Sequence, residues 1–266
     1  MVSFSQFPES LDQRALLHPL HELARRSPGW ESSVAGNFHH HGRSYEISRF
    51  RFTGPSAGSD PVRLGLFAGV HGDEPAGCAA LLEFAAALAA EPERALGYEL
   101  WIYPVVNPTG YEDGTRINRA GKDLNREFWR GSAEPEVRII ESELRTRCFH
   151  GVVALHADDT CEGLYGYSRG RTLDAALLQP ALRAAERILP RDSRAVIDGF
   201  AARNGVISDC FQGVLSAPAD QEPRPFDVIF ETPAHAPFAL QVAAAVAALD
   251  TIIAEYRGFI AYAQDL

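Results

Sequence analysis

Short apolar runs without a polar face alternate along the chain with helix-patterned segments long enough to cross a sheet. The runs are VRLGLFAGV (62–70), YELWIYPVV (98–106), GVVALHAD (151–158) and FDVIFET (226–232). Helical patterns fall at roughly 75–90, 134–148, 173–188 and 236–253. A strand that alternates apolar and polar residues can face water on one side, whereas one that is apolar throughout has to be covered on both. The expectation is therefore an α/β fold, with a mostly parallel sheet and helices on both sides. SYEISRFRF (44–52) does alternate and reads as a further strand, set apart by the turn-rich TGPSAGSDP. Ahead of it, LDQRALLHPLHELARRS carries leucines at helical spacing and is closed by Pro28-Gly29. Residues 1–32 are thus expected as a helical extension, packed on a single domain spanning 1–266.

Bulk properties narrow the function. A length of 266 residues suffices for one large core. A formal net charge of -10 and a pI near 5.4 argue against a protein that wraps a nucleic acid backbone. Of the 25 basic residues 24 are arginine, whose planar guanidinium suits bidentate recognition of a carboxylate. The start MVSFSQFPESLDQ lacks the basic region and apolar run of a secretory signal, and AGCAALLEFAAALAA is interrupted by Glu83. The four cysteines form no CxxC pair, the pattern of reduced thiols. These features predict a cytoplasmic protein without a nucleic acid or membrane partner, and leave its oligomeric state open.

His71, Glu74, Asn107, His156 and Glu231 all stand at or just beyond the expected carboxyl ends of strands, where open α/β sheets bind ligands. His71 and Glu74 sit three apart at a strand-to-helix junction, with Gly72 between them giving the backbone freedom. A catalytic zinc typically takes three protein ligands and keeps one position open, and His156 is the best third ligand. Asp73, Asp158 and Asp159 are substitutes, Asp158 the foremost because it lies two residues beyond His156. His39, His40 and His41 are adjacent in an extended segment, so their side chains diverge and a solvated loop or strand start is expected. His18, His21 and His150 read as packing, capping or surface residues. His235 could support Glu231 from four residues on, although Pro233 intervenes.

The ordered set GVHGDEPAG, NPTGYEDGTR, GKDLNREF, LHAD and FET resembles the M14 family of zinc carboxypeptidases and their succinylglutamate desuccinylase/aspartoacylase relatives, over about 65–235. The resemblance implies a zinc-carboxypeptidase-like α/β/α sandwich around a mostly parallel, mixed central sheet. It also implies one Zn2+ per chain on His71, Glu74 and His156, with Glu231 as general base. By the same resemblance Arg116 stabilises an oxyanion and Asn125 with Arg126 receives a substrate carboxylate. Arg119 stands as an alternative to Arg116, and Asp123 is expected to hold the loop or a neighbouring basic side chain. The implied substrate is a peptide or an N-acyl amino acid with a free carboxylate.

Two departures bear on the reaction. The mobile-loop tyrosine of pancreatic-type members has no counterpart between Tyr167 and Glu231. The aspartoacylase-like relatives append a β domain after the catalytic glutamate, whereas ALQVAAAVAALDTIIAEY reads as helix. The expected activity is therefore a carboxypeptidase or peptide amidase, with an N-acyl-amino-acid deacylase as the alternative and a non-catalytic zinc-containing peptide-binding protein after that.

Overall fold

The computed structural model describes residues 12–169 and 171–264. The strands are β1 (Trp30–His40), β2 (Arg43–Thr53), β3 (Val62–Phe67), β4 (Tyr98–Tyr103), β5 (Gly151–Asp158), β6 (Tyr165–Ser168), β7 (Val196–Ile197), β8 (Phe200–Ala201), β9 (Val206–Ile207) and β10 (Phe226–Pro233). The helices are α1 (Gln13–Arg26), α2 (Pro75–Ala90), α3 (Pro108–Asp113), α4 (Pro135–Arg147), α5 (Arg171–Leu173), α6 (Gln179–Ala185) and α7 (Phe238–Gln264).

The central sheet runs β1-β2-β4-β3-β5-β10-β6-β9. Its middle strands β4, β3, β5 and β10 are parallel, while β1–β2, β2–β4 and β10–β6 are antiparallel. Parity along each middle strand explains why these runs lack a polar face. On β5, Val153 and Leu155 enter a core built with α1, α2, α6 and α7, and Val152 enters a second core with Val137, Ile140 and Leu144 of α4. Phe226, Val228 and Phe230 of β10 join the first core, and Ile229 points the other way. Each such leucine, valine or phenylalanine contributes roughly 1.5–3 kcal/mol when fully buried, so both faces of the strand are selected to be apolar. The result is an α/β sandwich with a mixed, mostly parallel sheet, as expected.

Several details depart from the sequence reading. Part of the expected 1–32 extension, residues 1–11, lies outside the described residues, and α1 covers Gln13–Arg26. Trp30 to Ser32, read as part of that extension, begin β1, a mostly exposed edge strand held by its register with β2. His39 and His40 end β1, and His41-Gly42 makes its turn into β2. The polar segment after β4 contains α3, capped by the Asn107 carboxamide, which accepts from Gly110 N at 2.8 Å. The expected helix at 173–188 is interrupted by a π turn at Asp174–Leu178. Pro180 follows at the start of α6; its ring crowds the preceding turn and it offers no N–H, which a widened turn accommodates. α7 is long and apolar enough to cross a membrane, yet Ala245, Leu249 and Ile252 on it are buried in the first core.

Candidate active site

β3 and β4 are joined through α2 on one side of the sheet, and β5 lies on the other side of β3. The crevice beyond the carboxyl ends of β3 and β5 is thus a point where the winding reverses, the usual ligand position in such sheets. The sequence places its reactive groups there. His71 lies in the β3–α2 loop, Glu74 immediately precedes Pro75 at the start of α2, and His156 is on β5. Gly72 makes the loop possible, because a Cβ at this position would lie 1.9 Å from the backbone carbon of Gly110. That approach lets the α3 segment close over the loop, with Gly72 N donating to Thr115 O at 3.0 Å.

Glu74 bridges the two imidazoles. Its Oε1 lies 2.6 Å from His71 Nδ1, its Oε2 lies 2.8 Å from His156 Nδ1, and Ala157 N donates to Oε2 at 3.1 Å. All three residues are buried, and one ligand atom from each falls within 4.8 Å of the others. Among the described residues this is the sole group of histidine, cysteine and carboxylate side chains so assembled. Two further observations show that the set fits a metal ion. Asp123 Oδ1 lies 3.0 Å from His71 Nε2, the outer hydrogen bond that orients a ligating imidazole and directs its other nitrogen to the metal. His156 Nε2 is buried with no hydrogen-bond partner, so this ring is engaged through its Nδ1 alone.

Electrostatics follows from this packing. Burial opposes charge on His71, but Glu74 and the hydrogen bond to Asp123 outweigh it and raise the imidazole to about 9. Burial dominates at His156 and lowers it. Burial also works against a charged Glu74, yet His156 and then His71 hold it below the usual carboxylate range.

Glu231, on β10, is in parallel register with His156 and in antiparallel register with Tyr165. It shares the cavity face with Ile229, and among the described residues its carboxylate has no hydrogen-bond or ion-pair partner. Burial, followed by repulsion from Glu74, Asp158 and Asp198, raises its carboxyl well above the ordinary range. The cavity in front of it is about 380 Å³ and reaches Arg116, Asn125 and Arg126.

Arg116 donates from Nε to Asp123 Oδ2 at 3.1 Å and brings Nη1 to 3.6 Å from Glu74 Oε1. Asn125 is buried and accepts from Leu215 N at 2.9 Å, fixing the 3-10 turn at Leu124–Arg126 to the segment before β10. The Arg126 guanidinium lies over the Phe211 ring at 4.2 Å. Asp123 therefore holds an arginine, as anticipated, and in addition orients His71.

The rivals separate spatially. Arg119 is tied to Asp113 and Glu112 and lines a different cavity, with His18 and His21. His150 Nδ1 accepts from Arg63 N at 3.0 Å, a structural contact. Asp73, Asp158 and Asp159 line the site cavity. Sequence reasoning missed Phe211 and Asp198, which also line it. The Asp198-Gly199 pair between two short apolar dipeptides was a readable hairpin signal, but its position over the cavity was not.

A family model described as the succinylglutamate desuccinylase/aspartoacylase catalytic domain matches residues 61–160. No curated protein matches the chain. Among solved structures, a candidate metallopeptidase from Shewanella denitrificans OS217 is 26% identical at a TM-score of 0.77, covering 96% of this chain and 98% of its own. A candidate metallopeptidase from Shewanella amazonensis SB2B is also 26% identical at 0.77, covering 95% and 98%. A metallo-carboxypeptidase from Burkholderia cenocepacia shares the fold at 16% identity and a TM-score of 0.71, covering 92% of this chain and 68% of its own. The buried ligand cluster, the unpartnered carboxylate beside it and these likenesses support a metal-activated hydrolase. The chain thus has structural and domain homology to the superfamily that joins succinylglutamate desuccinylase/aspartoacylase catalytic domains with the metallocarboxypeptidases.

Proposed function

We propose that this chain is a zinc-dependent hydrolase of metallocarboxypeptidase type, cleaving a peptide or amide bond close to a substrate carboxylate. The observation that carries the reading is the register between β5 and β10, which sets the unpartnered Glu231 beside His156 of the ligand cluster. Two imidazoles and a carboxylate suit zinc, and His71, Glu74 and His156 would hold one ion per chain. When bound there, the ion would supply Lewis acidity, making a water more acidic and polarising the scissile carbonyl.

The chain's own groups supply the remaining steps. Glu231 takes the proton of the attacking water and returns it to the departing amine, a role suited to a carboxyl whose proton affinity burial has raised. Arg116, anchored through Nε by Asp123, offers its terminal nitrogens to the negative charge that develops on the carbonyl oxygen. Arg126, with Asn125 beside it, receives the substrate carboxylate in a charge-assisted contact that gives direction as well as attraction. The substrate is thus a peptide or an N-acyl amino acid.

A deacylase of N-acyl amino acids is the second reading, favoured by the desuccinylase/aspartoacylase model that matches 61–160. Zinc-loaded protein should be given a mixed panel of peptides and N-acyl amino acids, with products resolved by mass spectrometry and Glu231→Gln as control. Release of a C-terminal amino acid, lost in the control, supports the carboxypeptidase; cleavage at one internal junction supports a peptide amidase. Release of a small acyl acid supports the deacylase, and a protein that binds no zinc at the three residues overturns both. We further propose that the reaction takes place in the cytoplasm, a reading supported by the four cysteines, which form no CxxC pair, and tested by cell fractionation.

A further inference from the structure

The segment that carries Arg116 and Asp123 inverts the usual pattern of burial. Ile117 is exposed, whereas Asn118 beside it is only 4% exposed. Burying an amide costs free energy unless its polar atoms find partners, and those of Asn118 do. Its backbone N donates to Lys122 O at 2.9 Å, and its backbone O accepts from Gly121 N at 2.9 Å. The side-chain Oδ1 accepts from Ala120 N at 3.1 Å and from Lys122 N at 3.0 Å. The turn 118–122 is thus closed around one carboxamide, with Gly121 reversing the chain at a φ of 79°.

The other end of the carboxamide fastens this turn to a helix. Asn118 Nδ2 donates to Glu134 Oε2 at 2.7 Å and to Glu136 Oε1 at 3.4 Å. The two carboxylates flank Pro135 at the start of α4, and Val137, Ile140 and Leu144 fix that helix in the second core. Upstream of the turn, Thr115 O accepts from Gly72 N at 3.0 Å and Thr115 N donates to Gly110 O at 2.9 Å.

Arg116 stands two residues before Asn118, and Asp123 directly follows the turn. Their side chains meet at 3.1 Å, and Asp123 passes the contact on to His71 Nε2 at 3.0 Å. The Arg116 side chain is 46% exposed, so packing alone does little to hold it. Closure of 118–122 sets how far apart Arg116 and Asp123 leave the backbone, and the tie to α4 sets where the pair stands against the metal loop. A loosened turn lets Asp123 swing and takes the His71 ring and the guanidinium with it.

We propose that Asn118 is a positioning residue, which acts through Asp123 to aim His71 at the metal ion and to hold Arg116 in place for the scissile carbonyl. This rests on the hydrolase reading above and adds to it a residue that touches neither metal nor substrate. Asn125 and Arg126 are held from the other side, by Leu215 and Phe211, so turnover depends on Asn118 more than substrate affinity does.

The test measures zinc affinity by chelator competition and turnover on the substrate that the panel yields. Asn118→Ala should weaken zinc binding about tenfold. At saturating zinc it should lower kcat about 10–100-fold, with KM changed less than about threefold. In Asp123→Ala protein the same substitution should change neither zinc affinity nor kcat by more than about twofold, because the link through which Asn118 acts is gone. A residue that merely stabilises the loop gives the same loss in both backgrounds. Asn118→Asp keeps the acceptor for Ala120 and Lys122 but sets a carboxylate against Glu134, so it should reproduce the loss. Adding Glu134→Gln to it should restore zinc binding by exchanging donor and acceptor. If Asn118→Ala does not fold, Asn118→Asp takes its place in both backgrounds. Unchanged zinc affinity, or a loss that persists undiminished after Asp123→Ala, overturns the positioning role alone. A panel without turnover overturns the hydrolase reading alone, since zinc affinity still decides the role of Asn118.

Discussion

Oδ1 of Asp123 lies 3.0 Å from Nε2 of His71, which leaves Nδ1 of that ring to face Glu74 at 2.6 Å. Asp123 therefore sets the direction in which His71 presents a nitrogen to a metal. Asp123→Ala removes this hydrogen bond together with the anchor of Arg116. Zinc affinity is expected to fall by about 10–100-fold, the usual cost of losing an outer-sphere partner. Competition with a chromophoric chelator measures it, and an unchanged affinity would show that the ring is held by packing alone.

Glu231→Gln should behave in the opposite way. The side chain is not among the three ligands, so zinc content stays at one per chain, measured by plasma mass spectrometry. Turnover should drop roughly 10²–10⁴-fold, the range for loss of a general acid–base group. A variant that loses zinc as well as activity would make Glu231 a ligand instead.

Arg126→Ala is expected to raise KM about 10–100-fold for a substrate with a free carboxylate, given that a hydrogen bond to a charged group contributes about 1.5–3 kcal/mol. The corresponding carboxamide should be nearly indifferent to the change. Arg126→Lys should recover only part of the loss, because an ammonium cannot form the planar paired contact or stack on Phe211 in the same way. Equal losses for carboxylate and carboxamide would remove Arg126 from substrate recognition.

Gly72→Ala tests the packing that builds the metal loop. A Cβ 1.9 Å from the Gly110 carbon cannot be absorbed by moving a side chain, since the obstacle is backbone. Overpacking of this kind typically costs ~1–3 kcal/mol. Thermal unfolding of metal-free protein should register the loss, and a Tm equal to that of the unmutated chain would count against the close approach.

Asp227 gives a stability signature away from the metal. It accepts from Ala217 N at 2.7 Å, and burial raises its carboxyl from 3.8 to about 6, with Ala217 and Arg169 opposing the shift. The folded protein therefore binds more protons than the unfolded chain between these values. Its contribution to stability is largest below pH 4 and is lost as pH rises to about 6, on the order of 3 kcal/mol in all. Asp227→Asn retains an acceptor for Ala217 and should flatten this part of the pH profile in urea titrations. A slope unchanged between pH 4 and 6 would refute the attribution.

The sheet's middle strands were readable in the sequence because burial on both faces marks every residue of the strand, as at Val152 to Leu155. β1 was not, because most of its side chains are exposed and only pairing with β2 makes it a strand. β6 is four residues long and depends in the same way on β10. The candidate site divides along similar lines. His71 and Glu74 stand out locally, since a turn between a buried strand and a helix is a poor place for such groups without a purpose.

By itself the sequence determined the α/β class, the strand ends at which reactive groups collect and the family resemblance that suggested their roles. Only the tertiary structure decided which groups meet. Glu74 reaches across 82 positions to His156, and Asp123 couples His71 to Arg116. It also decided that Arg119 belongs to another cavity and that Asp198 faces this one. The physical reason is range: burial and turn chemistry act within a few residues and leave local traces, whereas a site is a set of distances fixed by strand register and the closure of loops over the sheet edge.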